Sequence, residues 1–142
     1  MFNAAMWTFF LFFLLDLTNF SQALGFWKYH VDYPKTKVEG LSHEYCNVMM
    51  RKRTMIVRGR CVNFNTFIHE PNSTIINICS NPESCFSTSW AKCNKSSRTL
   101  KVTYCFTKSY ARPPNCQYKA KANFSIIKVI CMKGVPVYLF QS

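Results

Sequence analysis

The sequence predicts an α+β domain, helices first and strands after, cross-linked by disulfides. Three observations predict it. Apolar residues recur at helical spacing between Phe26 and Arg53. From Arg60 onward, runs rich in β-branched and aromatic residues are separated by Pro, Asn or Gly. All eight cysteines follow a short apolar leader. The 142 residues make one domain, slightly less once processed.

The leader comes first. Met6 to Leu15 is an apolar run stopped by Asp16, too short for a spanning helix, which needs roughly 20 such residues. Ser21 and Ala23 suit cleavage before Leu24, with Ala23/Gly25 as a second site. Residues 1–23 therefore read as a signal peptide and 24–142 as a single secreted, extracellular domain. No Lys or Arg precedes the run, so an uncleaved anchor stays open as the alternative.

Phe26 to Asp32 reads as a short helix with Phe26 and His30 on one face and Pro34 ending the segment. So short a helix is marginal alone, and Phe26 must dock on the core to hold it. Ser42 to Arg53 reads as a second helix. Ser42 can cap it, Glu44 lies in its first turn, and Arg51, Lys52 and Arg53 close it, a polarity that suits the helix dipole. Cys46, Met49 and Met50 give its inward face, a core stripe rather than a ligand set.

Strands are expected at Phe64–Ile68, Thr74–Cys79, Arg98–Lys108, Cys116–Ala122, Phe124–Cys131 and Val135–Phe140. Thr99, Lys101 and Thr103 alternate with Leu100, Val102 and Tyr104, as in a half-buried strand. Pro113-Pro114-Asn115 is a turn. Sequons stand at Asn72, Asn94 and Asn123; Asn72 or Asn94 is the better glycan site, because Asn123 falls between two expected strands.

An even cysteine count behind a secretory signal argues for disulfides. Zinc competes, but no C-x-x-C pair occurs and the three histidines lack ligand spacing, so neither metal nor cofactor is expected. Eight cysteines allow on the order of a hundred pairings, and spacing does not choose among them. After the leader, 18 basic residues against five acidic ones give a charge of +13. A field of that sign attracts RNA or another polyanion, acidic glycan, a cell surface or a membrane; a soluble basic surface without a dedicated partner is the plain alternative.

Several motifs now carry a resemblance. Cys61-Val62-Asn63-Phe64-Asn65-Thr66-Phe67 resembles the signature strand of the pancreatic-type ribonuclease (ribonuclease A) superfamily. Phe26, His30 and Asp32 keep the spacing of its first helix, although Tyr29 stands where the family has Gln. Pro114-Asn115-Cys116-Gln117-Tyr118 and Val135-Pro136-Val137 are similar to two further segments, so the resemblance spans about residues 26–140. It implies short helices packed on a curved antiparallel sheet and the bridges Cys46–Cys105, Cys61–Cys116, Cys79–Cys131 and Cys85–Cys93; a monomer is expected, although the sequence does not decide the oligomeric state.

The family cleaves RNA by attack of the ribose 2′-hydroxyl on phosphorus. One imidazole removes that proton, a second protonates the leaving oxygen, and a lysine stabilises the transition-state charge. A threonine reads the pyrimidine edge through backbone and hydroxyl. The resemblance places His30 at the first histidine and Asn65 and Thr66 at the base reader. It places Val62 at the lysine and Tyr138 at the second histidine. Sliding the alignment by two residues puts Phe140 there instead, and no histidine follows His69. Arg60 shares a strand face with Val62 but flanks the cysteine from the other side. A phenol ordinarily titrates near pH 10 and relays protons poorly at neutral pH. Losing the acid costs about 10²–10⁴ in rate; losing the cation costs about 10²–10³. His69 reads as structural.

The expected protein is a secreted, non-catalytic binding protein. His30-Val31-Asp32-Tyr33-Pro34 is similar to segments of the inactive ribonuclease-like proteins of the male reproductive tract, which implies a role in reproduction. A cationic host-defence protein and a weak pyrimidine-preferring ribonuclease are the alternatives.

Overall fold

The computed structural model describes residues 21–40, 42–81, 93–108 and 112–141. Residues 21–30 are helical (α1). A 3-10 turn, Ser42–Glu44, leads into α2, Tyr45–Lys52. A two-stranded ribbon follows, β1 Ile56–Val57 with β2 Arg60–Cys61, then β3 Phe64–Ile68. Next come α3 Asn72–Asn77, a 3-10 turn Ile78–Ser80 and β4 Asn94–Lys95. The C-terminal half is β5 Leu100–Thr107, β6 Tyr118–Ser125, β7 Lys128–Met132 and β8 Val135–Leu139. Antiparallel pairing makes two three-stranded sheets, β3-β5-β6 and β4-β7-β8. Among the described residues, no helix is long and apolar enough to cross a membrane.

The pleat divides the core. Asn65, Phe67, Thr103, Cys105, Tyr118 and Ala120 share one face of β3-β5-β6, because directly paired residues point the same way. Tyr45, Cys46, Met49 and Met50 of α2 pack there with Phe67 and Tyr118. Ile68 and Val102, on the other face, pack with Phe26 and Val31 of the α1 segment, Ile75 and Ile78, Ile127, Val129 and Leu139. That second face is covered at its Ile68 end and open at its Phe106 end, where Phe106 is 40% exposed.

Three bridges stand as the resemblance implies: Cys46–Cys105, Cys61–Cys116 and Cys79–Cys131. They span 59, 55 and 52 residues. A loop of that size, taken alone, is worth roughly 4 kcal/mol of unfolded-state entropy, less where crosslinks share it. Cys93 is disulfide-bonded, and the Cys85 of the expected fourth bridge lies outside the described residues. Residues 1–20 of the leader lie outside them too.

Several elements differ from the sequence reading. Thr74–Cys79 is helical, not a strand. Pro71 sits extended before the helix (φ −58°, ψ 150°), and Ile75 and Ile78 then fall three apart on the buried face. Burial at helical spacing outweighs the weak β preference of Thr and Ile. The α1 helix stops at His30, before Pro34, because Val31 bridges to Ile68 and the Asp32 amide donates to the Ile68 carbonyl (3.0 Å). Ser42 lies within a 3-10 turn rather than capping α2, whose first turn begins at Tyr45. Cys116–Ala122 and Phe124–Cys131 are not two strands broken at Asn123. β6 runs through Asn123 to Ser125, and the break falls at Ile126–Ile127. Ser96 holds that break: its amide donates to the Ile127 carbonyl (2.8 Å) and its hydroxyl accepts from the Ile127 amide (2.9 Å). Thr103 is buried rather than outward, covered by His69.

Candidate active site

α1 is fixed at its C-terminal end, and that fixes His30. The Asn65 carboxamide donates to the Tyr29 carbonyl (2.8 Å). The Arg53 guanidinium donates to the Trp27 carbonyl (3.4 Å) and to that of Lys28, and stands 3.7 Å from Asp32. A cation at the carbonyl end also suits the helix dipole. Asp32 accepts from the Thr36 amide (2.9 Å) and hydroxyl (2.7 Å) and from the Tyr45 hydroxyl (2.5 Å). Burial pushes its pKa up, but these bonds outweigh burial and hold it below the ordinary value.

His69 completes this junction. A carbonyl only accepts, so Nδ1–H donates to the Asp32 carbonyl (2.9 Å), and Nε2 accepts from the Thr103 hydroxyl (2.7 Å). Both nitrogens are committed within the fold, and burial lowers the pKa. His69 is a structural tie between the end of α1 and two strands.

His30 obeys the same logic with a different outcome. Nδ1–H donates to the Thr66 carbonyl (3.2 Å), which leaves the lone pair on Nε2. Burial lowers its pKa, against smaller opposing effects of the Thr66 carbonyl and the Asn65 side chain. A neutral imidazole with a fixed tautomer is what a general base requires.

His30 lines a cleft of about 320 Å³ with Gly25, Tyr29, Tyr138 and Gln141, and with Gln22 of the leader. Thr66 lines an adjoining cleft of about 420 Å³ with Phe64, Tyr104, Lys128, Tyr138 and Phe140. Tyr138 and Gln141 border both. Tyr138 is 54% exposed, with its ring edge-on to Phe140 at 5.1 Å. The structure thus brings His30, Thr66 and Tyr138 together, with Asn65 behind them as the anchor of α1.

Val62 and Arg60 are elsewhere. Val62 packs against the α2 side of the core, its amide donating to the Met55 carbonyl (3.1 Å) and its carbonyl accepting from Tyr118 (2.8 Å). Arg60 is exposed in the β1-β2 ribbon. Neither lines either cleft.

Two features escaped the sequence reading. The Thr66 amide donates to the Gln141 side-chain oxygen at 2.7 Å. A lone Gln after an apolar strand carries no signal of such a contact. The second is a cluster of rings: Phe64 lies 5.9 Å from Tyr104, stacked, and 5.0 Å from Phe106, tilted. Aromatics two apart at Tyr104 and Phe106 were visible, but their alignment with Phe64 is a matter of register.

A helix-borne histidine tied to a signature strand, two flanking sheets and long-range bridges define a ribonuclease-type scaffold. The sequence profile described as Pancreatic ribonuclease matches residues 21–140. The chain belongs to that family. It is 36% identical to the Ribonuclease pancreatic of Mus musculus over 136 residues, 90% of this chain and 89% of that protein. It is 35% identical to the Ribonuclease pancreatic of Gerbillus nigeriae over 116 residues, 82% of this chain and 75% of that one. The crystal structure of green turtle egg white ribonuclease superimposes with a TM-score of 0.72 at 27% identity, covering 85% of this chain and 98% of that one.

Proposed function

We propose that this protein is a secreted, basic ribonuclease A-like protein that binds nucleic acid or another polyanion and does not cleave RNA. The observation that carries the reading is the lining of the His30 cleft. Among the described residues it holds one imidazole, no second one, and no lysine or arginine. Tyr138 stands at the position expected of the acid. Val62, at the position expected of the cation, turns to the core. A base whose own cleft lacks a second imidazole and a cation starts a proton transfer that nothing there completes, Lys128 standing in the adjoining Thr66 cleft. Binding remains, supported by a charge of +13 on the chain after its leader. Secretion fits the family and the disulfides. The narrower placement, among inactive relatives of the male reproductive tract, rests on His30 to Pro34 alone and belongs to the same proposal.

Cleavage of a pyrimidine-containing RNA by the refolded chain tests this. Wild type stays near background. Val62→Lys with Tyr138→His raises the rate well above wild type, and each change alone does less, because the groups act as a unit. Efficient cleavage by wild type would overturn the reading.

A further inference from the structure

We infer that the open end of the β3-β5-β6 face is a stacking platform for single-stranded nucleic acid, formed by Phe64, Tyr104 and Phe106 and edged by Lys119 and Lys121. The inference rests on the binding reading above and names the ligand of one surface.

Register carries it. Phe64 pairs with Phe106, which pairs with Lys119; Thr66 pairs with Tyr104, which pairs with Lys121. Paired residues share a face, so three rings and two ammonium groups stand side by side. No acidic side chain occupies these rows. Both lysines are exposed, and so is Phe106, at 40%. The rings touch one another rather than the core cluster below, apart from Tyr104, which also packs against it. The Phe64–Phe106 pair steadies the central strand, yet 40% of Phe106 remains open to solvent and free to meet a ligand.

The pattern fits one ligand chemistry. Rings offer π-faces to unpaired bases, and lysines at one border follow the phosphates. A sulfated glycan has the charge but no π-face. A duplex keeps its bases stacked inside. The Thr66 amide, the donor on this face that the resemblance assigns to reading a base edge, is held by Gln141. Recognition on this face is therefore by stacking and charge and is tolerant of sequence.

The test uses the processed chain and a labelled short oligodeoxyuridylate, which lacks the 2′-hydroxyl and so survives any residual activity. Anisotropy is read across a salt series, with heparin as the base-free competitor. Phe106→Ser weakens the oligonucleotide roughly tenfold at every salt and leaves heparin unchanged. Phe106→Trp restores or tightens binding. Lys119→Gln with Lys121→Gln lowers the slope of log affinity against log salt by about 1.4 and weakens both ligands. If Phe106→Ser leaves the oligonucleotide unaffected, or weakens heparin equally, the platform is wrong and charge alone binds. If wild type binds neither ligand, the proposed function falls and the platform with it. If wild type cleaves RNA while the Phe106 effect holds, the platform stands and only the non-catalytic reading fails.

Discussion

At the Thr66 amide, one proton faces two classes of acceptor. A pyrimidine carbonyl is the acceptor the resemblance implies for this position, and the Gln141 carboxamide already accepts there at 2.7 Å. Any base that enters must displace it. A net hydrogen bond is worth about 1 kcal/mol, so the competition lowers pyrimidine affinity by about fivefold. Gln141→Ala should raise the affinity for uridine 3′-monophosphate by that factor, measured by calorimetry, and leave a purine nucleotide unmoved. Equal affinity in both proteins would mean that the carboxamide yields at no cost. The residue scale also explains why His30 alone does not make an enzyme. Its tautomer, set by the Thr66 carbonyl, is right for a base, and its lowered pKa keeps it neutral at pH 7. The neighbouring groups are what differ.

At the scale of elements, the three sequons can be told apart. Asn72 is exposed at the start of α3. Asn94 is half-buried, and its Nδ2 donates to the Cys79 (3.2 Å) and Asn81 (3.1 Å) carbonyls. A glycosylated amide keeps one N–H, so a sugar there would break one of these bonds and crowd β4. Asn123 lies inside β6, exposed, and accepts from the Phe124 amide (2.8 Å). Peptide mass mapping of protein from a secretory host should find glycan at Asn72 and none at Asn94; the reverse would show that the Asn94 bonds count for little. The same elements show what was legible in the sequence. β3, β5 and β8 were: the signature segment marks β3, the β-rich run from Arg98 to Lys108 marks β5, and Val135-Pro136-Val137 marks β8. So were three bridges, through the resemblance. α3 was not: Thr74-Ile75-Ile76 has strand composition, and only the position of Pro71 and the burial of Ile75 and Ile78 decide for helix. In the candidate site the grouping of His30, Thr66 and Tyr138 was expected only through the family resemblance. Gln141 and the Phe64–Tyr104–Phe106 cluster were not, because both depend on which strands pair and in what register.

At the scale of the whole molecule, α1, α2 and the β3-β5-β6 sheet meet at one polar junction of Asp32, His69, Tyr45 and Arg53, with His30 beside it at the end of α1 and tied to the Thr66 carbonyl. Three of these groups prefer to be deprotonated in the fold. Burial lowers the pKa of His30 and of His69 below the ordinary 6.5. Asp32 lies below its ordinary 3.8, because hydrogen bonds from Tyr45 and Thr36 outweigh burial. The unfolded chain therefore binds more protons than the folded one wherever these groups titrate, and stability falls as pH falls. The fall has two stages. The imidazoles give the first, starting as pH drops through about 6.5 and ending once it passes their lowered folded values. Asp32 gives the second, starting near 3.8 and ending below its own lowered value. Above about pH 7 none of the three contributes a slope. His69 faces Lys35, Lys101 and Asp32, and the two lysines add to burial in resisting its protonation while Asp32 opposes them. Thermal midpoints of the processed chain should thus be flat between about pH 7 and pH 9 and decline as pH falls below about 6.5. His69→Gln, whose amide can still donate to Asp32 and accept from Thr103, should remove part of that first decline and leave the acid stage below pH ~4 intact. A midpoint that rises on acidification through this window, or a first decline that His69→Gln leaves untouched, would show that the imidazoles at the junction do not couple protonation to folding.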